Sequence, residues 1–179
     1  MFVTDICSLR HRGSVDSYAT CLTLPPKAGS GDKARIVDSH NFPFSKTIAA
    51  GHLSNGASAI REMHWHPNAD ERSFFINGRA HVTIFAAEGN TRTFDYMAGY
   101  VGVNPQNMAH FIENLSDDEE VEVLEIFRAD TFMDFSLFSW MGETLERLVR
   151  YHMLQNYPKA AEVFLRSVEN AEKDVMKDL

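Results

Sequence analysis

Two histidines one residue apart, His64-Trp65-His66, with Glu71 shortly after them, constrain this chain more than any other stretch. Side chains at i and i+2 of a β-strand leave the same face, so a strand here sets two imidazoles side by side. The Pro67-Asn68 turn swings the chain back and brings Glu71 towards them. A second segment punctuated by glycine and proline, Gly99 to Asn114, carries His110. Three imidazoles and a carboxylate are a natural donor set for a divalent transition metal. The spacing predicts His64, His66, Glu71 and His110 as ligands in a metal-dependent β-barrel.

The surrounding pattern is one of short strands split by turns. Strands are expected over Lys46–Ala50, Ala59–His66, Ser73–Ile76, Ala80–Phe85, Arg92–Asp95, Ala109–Glu113 and Val121–Phe127. Asn77-Gly78 reads as a type I′ hairpin and Glu88-Gly89-Asn90 as another turn. Short strands without intervening helices predict a mainly β protein, a sandwich or barrel. Asp117–Glu120 reads as a solvated acidic loop. Past Phe127 the texture changes. Ala129 to Trp140 is aromatic-rich and irregular, and helices are expected over Gly142–Gln155 and Pro158–Asp178. The expected division is an N-terminal arm over 1–30, a barrel over 31–140 and a C-terminal helical segment over 141–179.

At 179 residues, 44% of them hydrophobic, the chain is long enough to bury a core. Its net charge of −8 argues against nucleic acid and anionic membrane partners. No apolar run reaches membrane-spanning length, and no signal-peptide pattern opens the chain. A cytoplasmic protein is expected. Cys7 and Cys21 belong to no Cys-x-x-Cys motif. Free thiols are the expectation there, with a disulfide between them left open.

The two histidine segments resemble the paired motifs of the cupin superfamily. Ala34–Ser39, Asn41–Pro43, Ser45–Ala50, Arg61–Glu71, Arg92–Tyr96, His110–Asn114 and Leu124–Phe127 are similar to the second cupin half of the bicupin oxalate decarboxylases. The resemblance implies a single jelly-roll barrel, with helices after it. It also implies a metal held by His64, His66, Glu71 and His110, manganese first, with iron, nickel or zinc also accepted by such ligands.

Three further residues follow from the residues and the resemblance together. Arg61 matches an arginine that binds a substrate carboxylate, and a guanidinium does this through paired hydrogen bonds. Strict alternation would put Arg61 on the face opposite His64, so the role requires a bulge. Glu125 lies between Val123 and Phe127 on one strand face, where an apolar setting disfavours its charge and lets it hold or shuttle a proton. Asp134 stands in the stretch that carries a proton-donating lid glutamate in the catalytic half of the relatives. His11, His40, His52, His81 and His152 are expected to be structural or surface residues.

The implied function is that of a metal-dependent enzyme acting on oxalate or a related small carboxylic acid, with O2 as a redox partner, in a homodimer. Departures from the family pattern are Arg72 for tryptophan, Ser58 for glycine, Tyr100 for aspartate and Asn107 for glycine. They favour as alternatives a cupin dioxygenase, isomerase or cyclase with a larger substrate, or a non-catalytic metal-binding cupin.

Overall fold

The computed structural model describes residues 27, 28 and 32–151. These fall into two compact units divided after Asp134. In the first unit the strands are β1 (Lys27–Ala28), β2 (Asp32–Val37), β3 (Ala49–Asn55), β4 (Ile60–Trp65) and β5 (Glu71–Asn77). They continue as β6 (Arg79–Phe85), β7 (Thr91–Met97), β8 (Val101–Asn104), β9 (Ala109–Asn114) and β10 (Val121–Phe127). One sheet runs β1-β2-β3-β10-β5-β8, and the other runs β4-β9-β6-β7 within this unit. All pairings among these strands are antiparallel. This is the jelly-roll barrel that the resemblance implies.

Alternation along the strands layers the interior. Leu53, Val123 and Phe75 are in register across β3, β10 and β5, and they meet Ala80, Val82 and Ile112 of the other sheet in one buried cluster. Two residues along, the inward row is Gly51, Glu125, Ser73 and Gly102. The small side chains in this row leave room inside the barrel. A Cβ at Gly51 would lie 3.2 Å from Glu125 Oε2, close enough to crowd that carboxyl. The next inward row holds Ala49, Phe127, Glu71 and Asn104.

Two expected local structures are corrected. Asn77-Gly78 does not close a hairpin, because β5 and β6 lie in different sheets and Asn77 keeps a negative φ. Gly78 instead turns a corner between the sheets at φ +83, with its missing Cβ 2.8 Å from the Glu120 carbonyl. No side chain fits there. The hairpin turn with both central residues left-handed is Glu88-Gly89, φ 62 and 74, joining β6 to β7.

The expected helix over Gly142–Gln155 is interrupted at 144–145, and 152–155 of it lie outside the described residues. In the second unit α1 covers Leu137–Glu143, starting inside the stretch read as irregular, and α2 covers Glu146–Val149, within the expected helix. Ser136 starts α1 by accepting the Ser139 amide through its side chain. Thr144 ends it, extended, with its hydroxyl donating to the Trp140 carbonyl in place of a helical continuation. Apart from β1, the N-terminal arm with its two cysteines lies outside the described residues, as do His11, His152 and the Pro158–Asp178 helix. No described helix is long and apolar enough to cross a membrane.

Candidate metal centre

His64 at the end of β4, His66 just beyond it, Glu71 opening β5 and His110 in β9 bring one donor atom each to within 4.8 Å of one another. All four are buried. The hydrogen bonds around them decide which atoms point inward. His64 Nδ1 donates to the Glu62 carbonyl at 2.8 Å, His66 Nδ1 to Met133 at 2.8 Å and His110 Nδ1 to Met108 at 3.0 Å. A carbonyl only accepts, so each ring carries its proton on Nδ1 and turns a lone pair at Nε2 towards the centre. Such outer bonds fix tautomer and ring orientation at metal sites.

Glu71 Oε2 stands 2.9 Å from His110 Nε2 and 3.0 Å from His66 Nε2, while His64 Nε2 has no hydrogen-bond partner. Four acceptors converging in a dry space repel one another unless a cation sits among them. Burial, followed by the charge of Arg61, keeps His64 neutral by pushing its imidazole well down. The donor set therefore fits a divalent metal. Ser73 Oγ, at 2.5 Å, and Asn104 Nδ2, at 2.9 Å, both donate to Glu71 Oε1, which leaves Oε2 for the centre.

Arg61 reaches this interior through an irregularity in its own strand. Arg61 pairs with Ile112 and His64 with His110, so two residues on β4 lie opposite one on β9. The extra residue restores Arg61 to the inward face, as the sequence required. Its Nη2 donates to Asp134 Oδ2 at 2.8 Å and its Nη1 lies 3.5 Å from Asp32 Oδ2. Burial works against its charge, but the carboxylates of Glu125, Asp134 and Asp32 hold that charge more firmly than usual.

Glu125 is 4% exposed, and its Oε1 has no partner. Burial, then the negative charge of Glu71, pushes its carboxyl well up against the pull of Arg61. A carboxyl so placed is suited to holding a proton. The sign of its effect on stability follows. Glu125 burdens the fold little below its ordinary value of 4.5, and increasingly as pH rises towards its folded value. In metal-free protein, Glu125→Gln is expected to raise the melting temperature more at pH 8 than at pH 5. Thermal melts across that range check this, and parallel profiles for the two proteins would contradict it.

The sequence reading named neither Asp32, which flanks Arg61, nor Ser73 and Asn104, which anchor Glu71. Ser73 stands at i+2 from Glu71, and Asn104 directly precedes Pro105 of the second motif, so alternation and motif position held the available signal. Two of the family departures stand in the left-handed region that favours glycine: Ser58 has φ 55 and Asn107 has φ 62.

A model of the cupin family matches residues 25–160, and the chain belongs to that family. Among its curated relatives is an oxalate decarboxylase of Arthroderma benhamiae, 47% identical over 116 residues, which cover 65% of this chain and 27% of that protein. The oxalate decarboxylase OxdC of Bacillus subtilis is 44% identical over 132 residues, 74% of this chain and 34% of the relative. A solved structure of the Bacillus subtilis enzyme, studied for its Mn(II) centres, aligns with TM-score 0.71 at 43% identity, covering 74% of this chain and 35% of that one. The chain thus spans about a third of the length of these relatives.

Proposed function

We propose that the chain is a metal-dependent enzyme acting on oxalate or a related small carboxylic acid, with His64, His66, Glu71 and His110 as ligands. The observation that carries this is the junction of the four converging acceptors with a buried arginine and a buried carboxyl whose proton affinity is raised well above the usual range. Manganese is the metal proposed, from the Mn(II) centres of the Bacillus subtilis relative. When bound, a divalent ion supplies Lewis-acid charge to a substrate carboxylate.

The chain's own groups perform the remaining tasks. Arg61 binds and orients the substrate carboxylate, with Asp32 fixing the other side of its guanidinium. The substrate has to displace Asp134 from Nη2 to reach it, because Asp134 occupies that position in the free protein. Glu125 holds a proton in a dry setting. In decarboxylation the C–C bond of hydrogen oxalate breaks, one carbon leaves as CO2, and the other takes a proton and departs as formate. Glu125, or Asp134 once released from Arg61, moves that proton.

The test is incubation of manganese-loaded protein with oxalate in air. Formate well above that of a metal-stripped control supports the proposal. Peroxide with CO2 and no formate would place oxidation ahead of decarboxylation. Bound metal with neither product would overturn the oxalate reading.

A second reading, a larger carboxylic substrate, draws on a groove of about 500 Å³ lined by Ile84, Phe94, Met108 and Arg92, among others. Ile84 is the register partner of His110, and Met108 provides the carbonyl that orients its ring, so the groove adjoins that ligand. Turnover of longer carboxylic acids in preference to oxalate would favour this reading.

A further inference from the structure

Five consecutive residues after β10 are each tied to the surroundings of the metal centre. The Asp130 carbonyl accepts from the Ser39 amide at 2.8 Å, and the Thr131 carbonyl from Asn68 Nδ2 at 2.9 Å. The Phe132 amide donates to Asp38 Oδ2 at 3.1 Å. The Met133 carbonyl accepts from His66 Nδ1, and Asp134 Oδ2 accepts from Arg61, both at 2.8 Å. The segment is a strap across the rim of the site.

The three histidine ligands differ in how they are aimed. His64 and His110 donate to carbonyls two residues back in their own chain segment, Glu62 and Met108. These bonds form wherever their strands form. The acceptor of His66 lies 67 residues away, on the strap. His66 alone among the three is oriented by a remote segment, and its ring also packs against Phe132 of that strap.

Asp38 closes the strap at its centre. It is 6% exposed, and its carboxylate accepts from the Phe132 amide and from the His40 amide at 2.9 Å. It touches none of the four ligands in the contacts described; its carboxylate meets the amide and the ring of His40 in its own loop, the ring at 3.3 Å, and beyond that loop it holds the strap. We propose that Asp38 is a positioning residue of the metal centre, which fixes the strap at Phe132 so that the Met133 carbonyl can hold the His66 imidazole. The proposal rests on the reading of the four residues as metal ligands.

The test uses zinc, a diamagnetic probe metal, and follows the imidazole Nδ1–H signals of the loaded full chain by ¹H–¹⁵N NMR, together with zinc affinity. The parent protein is expected to show three protected signals that depend on zinc. Asp38→Ala is expected to speed exchange of the His66 signal at least about tenfold and to weaken zinc binding about ten- to a hundredfold, the range typical of lost outer-shell partners. The His64 and His110 signals stay as they were. Asp38→Asn, which still accepts a hydrogen bond, restores most of the protection. Asn68→Ala, which frees the strap at Thr131, reproduces the selective loss and keeps the proposal testable if Asp38→Ala does not fold. Loss of all three signals together, or of none, in a folded variant would overturn the proposal. Absence of zinc-dependent signals in the parent would overturn the ligand reading first, before any variant is made.

Discussion

His64→Ala is expected to weaken divalent metal binding by more than about a hundredfold, beyond the ten- to hundredfold typical of losing an outer-shell partner. His64 Nε2 is the one converging nitrogen with no contact to Glu71, so its lone pair has no purpose in the metal-free fold. The consequence is visible without any substrate. A ligand that binds only the native state at a hundred times its Kd stabilises it by about 2.7 kcal/mol. In a chain of 179 residues that raises the melting temperature by about 5–10 °C. The parent protein should show this shift with manganese or zinc, and His64→Ala should lose nearly all of it at the same metal concentration. An equal shift in both proteins, by calorimetry or dye melts, would show that the metal binds elsewhere.

Arg61→Ala is expected to leave metal binding within a few-fold of the parent while lowering kcat/KM for oxalate about 10²- to 10³-fold, the loss typical when one preorganised donor to reacting charge is removed. Arg61 stands outside the ligand set but within the electrostatic reach of His64 and Glu125. Its removal strips Asp134 and Asp32 of their cation and leaves Glu125 without the one charge that lowers its proton affinity. Arg61→Lys should recover little, because an ammonium cannot grip Asp32 on one side and a carboxylate on the other with a planar fork. Metal analysis and formate assays on the same samples separate the two effects. A variant that loses its metal together with its activity would make Arg61 structural.

The legibility of this chain followed the range of each signal. The four candidate ligands were readable because their spacing is local: a His-x-His pair on one strand, and motif glycines and prolines around the others. The last strand of the first unit, Val121–Phe127, was readable to the residue because its alternation is strict. Arg61 could be placed only on condition of a bulge, since one extra residue in β4 leaves no mark in composition and shows only in pairing with β9. Asn77-Gly78 misled because its dipeptide preference was overridden by topology, which sends β5 and β6 to different sheets. Asp38 and Asp32 stayed hidden for a related reason. Each acts on a partner 94 or 29 residues away, and one sequence carries no trace of such a meeting.

The most direct test of the centre is an anomalous-scattering crystal structure of the zinc-loaded protein. The account predicts one metal peak per chain among His64, His66, Glu71 and His110, with Nε2 of all three histidines at about 2.0–2.1 Å. All three Nδ1 atoms should remain on the carbonyls of Glu62, Met133 and Met108. A peak elsewhere, or ligation through Nδ1 with the rings turned from those carbonyls, would contradict it.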